Sequence, residues 1–80
     1  MFYVYLIRSV SSPERTHIGF THDIRKQLAA HNAGEVPGTA DGCPWEPVCY
    51  QAFADERRAQ GFKEFLQTDA GQVFAREWFW

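Results

Sequence analysis

"THIGFTHDIRKQLAAHNAG", residues 16–34, decides how the chain is read. Its opening, "THIGF", is β-forming, and Gly19 within it points to a bend or to the close approach of another group. Thr21 stands where a helix N-cap is wanted, and Asp23 falls in the first turn, at the positive end of the helix dipole. Ile24, Leu28 and His31 then recur at helical spacing, and "NAG" (32–34) supplies a stop. A glycine beside a helix N-terminus is a place where a phosphate can be handled. The exposed face of this helix, however, offers only a lysine, a glutamine and a histidine.

Upstream, "FYVYLIR" (2–8) alternates Phe2, Val4 and Leu6 with Tyr3, Tyr5 and Ile7. Both sets are apolar, which predicts a central strand covered on two sides. The polar "SVSSPER" (9–15) reads as a hairpin loop, so "THIGF" pairs antiparallel with the first strand. Downstream, residues 35–47 form a long loop anchored by Trp45, and "VCYQAF" (48–53) is a third strand. A helix from Asp55 to about Gln67 carries Ala59, Phe62 and Leu66 as its buried stripe. "TDAG" (68–71) breaks it, and "QVFAREWFW" (72–80) makes a short terminal helix or turn. The order is β-β-α-β-α-α. That is an α+β fold, with a small mixed or antiparallel three-stranded sheet flanked by helices.

Eighty residues, 45% of them apolar and 16% aromatic, suit one globular domain over 1–80. A net charge of −2 excludes any overall attraction to nucleic acid or to an anionic membrane. A polyanion would need a local basic patch, for which Lys26, Arg57, Arg58 and Lys63 are the candidates; the competing reading is a solvated charged face. "MFYVYLI" lacks a basic flank and is too short to span a bilayer. Cys43 and Cys49 match neither a redox nor a zinc spacing. Reduced structural thiols are the first reading, with a local disulfide or ligation alongside a histidine as the others, and a cytoplasmic location is expected.

Read together, these pieces resemble the GIY-YIG nuclease domain in its minimal single-domain form. "YVYLIRS" (3–9) stands where that family has its first motif, and "HIGFTHDI" (17–24) where it has YIG followed by T-x-D-L. "LAAHNAG" (28–34) matches the L-x-x-H-N-x-G that ends its first helix. "PW" (44–45) opens the segment leading to the third strand, and "FKEFLQTDAGQVFA" (62–75) is similar to the closing F-E-x-x-L-K-T-G-S-G-x-x-F-A.

The resemblance implies DNA cleavage with one divalent cation. A first-motif tyrosine helps to activate water, supported by the YIG tyrosine. An arginine on the first helix stabilises the phosphate, and a glutamate on the second holds the metal. Here the first tyrosine is Tyr5, but the second position is His17, the arginine position is Gln27 and the glutamate position is Lys63. Glu64 is one step, or about 100°, off that position, and Arg25 is about 200° from Gln27. An amide loses the guanidinium fork, and a lysine repels the cation a carboxylate binds.

Two functions are therefore expected. In the first, metal-dependent cleavage is lost or severely weakened, no metal or cofactor is held, and the domain is kept for binding. In the second it is an active endonuclease with a rearranged site, and Mg²⁺ or Mn²⁺ enters only if that site is intact. Lys26, His31 and Asn32 are the candidate nucleic-acid contacts, with weak DNA binding expected. His31 and Asn32 also fit helix-end residues that bond the following loop. Trp78, Phe79 and Trp80 either close the core or form a patch for a protein partner, and no membrane partner is expected.

Overall fold

The strand β1 (Phe2–Ser9) lies in the middle of the sheet, with β2 (Thr16–Thr21) and β3 (Trp45–Phe53) antiparallel on either side. The computed structural model describes residues 1–80. Three helices complete it: α1 (Ile24–Asn32), α2 (Glu56–Leu66) and α3 (Asp69–Trp78), with a 3₁₀ turn at Ala40–Gly42. This is the expected α+β order, and the sheet is wholly antiparallel.

Alternation along β1 divides the core in two. Val4 and Leu6 face Ala59 and Leu66 of α2 and Ala75 of α3, with Ile18, Phe20, Phe53 and Phe62 packed around them. Tyr5 and Ile7 face the other way, against Trp45 and the Ile24–Leu28 stripe of α1. All four β1 residues are buried, as a strand with two apolar faces requires. Each buried aliphatic chain contributes about 1.5–3 kcal/mol, so β1 anchors both halves.

Element boundaries differ from the sequence reading where side chains recapture backbone groups. The N-cap of α1 is Asp23, whose carboxylate accepts from the Lys26 N–H at 3.1 Å. Thr21 ends β2 instead, its hydroxyl accepting from the Asp23 N–H at 3.1 Å. β3 starts at Trp45 rather than Val48, because an irregularity opposite Leu6 and Ile7 accommodates Pro47, which has no N–H for the ladder.

"TDAG" turns the chain but begins α3 rather than preceding it. The Thr68 hydroxyl accepts from the Gly71 N–H at 3.0 Å and donates to the Phe65 carbonyl at 2.6 Å. That lock presses α3 onto the end of α2. Of the terminal aromatics, Phe79 packs against Phe62 and Phe74, and Trp80 lies under the Arg8 guanidinium. Only Trp78 faces outward, 72% exposed. Of the two readings of this end, core closure describes Phe79 and Trp80, and only Trp78 is left for a surface patch.

Candidate active site

The α1 face of the sheet carries the polar cluster. Tyr5 pairs across strands with Gly19, and its ring lies directly over that glycine. A side chain at position 19 would overlap the ring and hydroxyl of Tyr5. The close approach expected from the sequence is this one. Two residues along β2, on the same face, His17 sits with its ring centroid 6.2 Å from Tyr5 and 5.0 Å from His31.

His31 is fully buried on the inner stripe of α1, and its partners assign its tautomer. The Thr39 hydroxyl donates to the Val36 carbonyl at 3.2 Å, so it accepts from the His31 Nδ1–H at 2.8 Å. Nε2 then carries a lone pair and accepts the Tyr5 hydroxyl hydrogen at 2.8 Å. The Tyr5 proton points into the protein, leaving oxygen lone pairs for the cleft. Gln27 of α1 lies close enough to the same oxygen to favour its ionised form, against the larger opposing effect of burial.

Burial raises the Tyr5 pKa and lowers that of His31. Moving the proton from one to the other is therefore uphill, and the resting pair is neutral. Burial also lowers the pKa of His17, and repulsion of its protonated form by a protonated His31 and by Lys63 acts in the same direction. Lys63 belongs to α2, packed on the other side of the sheet, and bears on this cluster through its charge at His17. Of the four candidate positions, Tyr5 and His17 lie side by side, Gln27 favours ionised Tyr5 and the Lys63 charge disfavours protonated His17.

The candidate nucleic-acid contacts fare differently. Lys26 is exposed and forms no ion pair. His31 is shut off from solvent, with both ring nitrogens engaged internally. Asn32 uses both ends of its amide on the Trp45 backbone, at 2.6 and 3.1 Å. His31 therefore holds the site together in place of the direct contact expected of it, whereas Asn32 is exposed and keeps a second amide hydrogen and a second lone pair beside its bonds to Trp45. Sequence reading missed the bond from His31 to Tyr5. The signal was a polar residue on the apolar stripe of a helix.

A family model described as the GIY-YIG catalytic domain matches residues 1–79. The chain belongs to the GIY-YIG family. No curated protein matches it. In this GIY-YIG domain no three His, Cys, Asp or Glu side chains come together in a cluster able to hold a metal, and no helix is long and apolar enough to cross a membrane.

Two neutral histidines, His31 buried and His17 half-buried, make stability depend on pH. Unfolded, each takes a proton near pH 6.5, whereas the folded protein resists protonation until lower pH. Below that value the unfolded chain binds more protons, so stability is full above about pH 6.5 and falls as pH drops towards the folded pKa values. Urea midpoints should decline from about pH 7 to about pH 5.5, with a shallower decline in His17→Gln. A midpoint that stays level across that range would contradict the burial assigned to both rings.

Proposed function

We propose that this GIY-YIG domain has lost, or nearly lost, metal-dependent phosphodiester cleavage and serves to bind nucleic acid weakly on its α1 face. What supports the reading is that a lysine, Lys63, stands where the family's metal-binding glutamate is expected, its positive charge lowering the pKa of His17 beside Tyr5. A hard divalent cation wants several oxygen donors, carboxylates above all. Around Tyr5 the donors are one phenol, one available imidazole and an amide, beside a positive charge. They do not suit such an ion. Gln27 offers hydrogen bonds to a phosphate but no fixed charge. With the net negative charge, duplex DNA should bind no tighter than on the order of 10⁻⁵ M at physiological salt. Both cysteines are free, in keeping with a reducing, cytoplasmic setting.

The test is metal affinity, by calorimetry with Mn²⁺ on the parent and on the triple variant His17→Tyr, Gln27→Arg, Lys63→Glu. The parent should bind no Mn²⁺ and leave supercoiled DNA intact, and the variant should gain Mn²⁺ binding through its new carboxylate. Mn²⁺ binding by the parent would overturn the reading.

A second reading rests on the neutral state of His17. Burial and the nearby charges keep its imidazole free to accept a proton near neutral pH. With Lys63 supplying charge to the phosphate, the domain would be a rearranged endonuclease. Cleavage by the parent in the presence of chelator, abolished in His17→Gln, would favour it over the first.

A further inference from the structure

A second aromatic site lies on the same sheet face, one step along β1 from Tyr5. Tyr50 of β3 pairs directly with Tyr5 across the strands, and Tyr3 lies two residues before it, so all three point to the α1 side. Tyr3 and Tyr50 meet edge to face, ring centroids 5.7 Å apart. Between this pair and the start of α1 is a groove of about 420 Å³, lined by Tyr3, His22, Asp23, Ile24, Arg25 and Tyr50. That is within the roughly 300–1,000 Å³ usual for sites that take a small molecule or a single group.

Its chemistry is selective. Tyr50 is 56% exposed, although it is a large aromatic on a strand. Arg25 forms no ion pair, and Asp23, the only carboxylate of the lining, is held by the Lys26 N–H. A flat ring is offered for stacking, with a free guanidinium beside it for a phosphate. Residues directly opposite each other on antiparallel strands have Cβ atoms only about 4.5–5.5 Å apart. Because Tyr50 lies directly across the strands from Tyr5, a strand with a phosphate beside Tyr5 and Gln27 has a neighbouring base within reach of Tyr50. A duplex, whose bases are stacked and paired, cannot offer one.

We propose that the Tyr3–Tyr50 groove is a subsite for one unpaired base of a single-stranded nucleic acid, with Arg25 on the adjoining phosphate. This rests on the reading that the α1 face binds nucleic acid. It adds which form is preferred and which residues decide it.

The probe is a short poly-dT strand with one 2-aminopurine, compared with a duplex of the same length. Both binding and quenching of the fluorescent base are followed. Stacking on Tyr50 should quench the fluorescence, and the single strand should bind more tightly than the duplex. Tyr50→Ala should weaken single-strand binding about tenfold and remove the quenching, whereas Tyr50→Phe should retain both. Arg25→Gln should weaken binding and lower the slope of log affinity against log salt by about one phosphate contact. Single-strand binding that is unchanged in Tyr50→Ala overturns the subsite while leaving the nucleic-acid reading in place. Absence of binding to both strand and duplex overturns that reading and the subsite with it.

Discussion

Gly71→Ala should be the most damaging small substitution in the chain, costing about 3 kcal/mol or more. The added methyl would overlap the Phe65 carbonyl and the backbone at Leu66, where α3 is pressed against the end of α2. Neither obstacle is a flexible side-chain tip, so relief requires the helices to part. That would loosen the packing of Leu66 and Ala75 on β1. Gly61→Ala provides the opposite case. Nothing lies within 4 Å of a methyl at this exposed site within α2. Alanine there should stabilise by about 0.5–1 kcal/mol through helix propensity. Urea denaturation of the two variants should therefore move the midpoint in opposite directions. A Gly71→Ala midpoint close to the parent's would mean that α3 does not dock as described.

The second large effect is expected at His31. His31→Leu removes a buried ring and leaves the hydroxyl of Tyr5, a residue only 6% exposed, without its acceptor. Loss of packing and an unmatched polar group together should cost about 2–4 kcal/mol. The diagnostic is the double variant. Tyr5→Phe alone strands the His31 nitrogen and should destabilise, but in the His31→Leu background it removes an unsatisfied hydroxyl and should cost nothing or restore some stability. Stability losses that simply add would show that the two side chains are not bonded to each other.

Much of this was legible along the chain because it depends on local repetition. The two apolar faces of β1, the stripe of Ile24, Leu28 and His31, and the glycine after Asn32 follow from periodicities of two and 3.6 residues. The motif spacings likewise pointed to Tyr5, His17, Gln27 and Lys63, and of these the fold sets Tyr5 and His17 side by side. Gly19 could be read as a close approach, although not as the bed for the Tyr5 ring.

What only the tertiary structure decided concerns groups far apart in sequence. The Tyr5 hydroxyl finds a nitrogen of His31, and that histidine is held by Thr39 from a loop with no periodic signal. Asn32 is tied to the Trp45 backbone, and Trp45 donates its indole N–H to the Thr39 carbonyl at 2.8 Å. Such partners are chosen by the need to satisfy polar groups once water is excluded, a condition that arises only on packing. The same reason separates the terminal aromatics: Phe79 and Trp80 are drawn inward by the surfaces that α3 meets, and Trp78 is left outside. Residue spacing along one helix states which side chains share a face, but the sheet and the loop decide which face is buried.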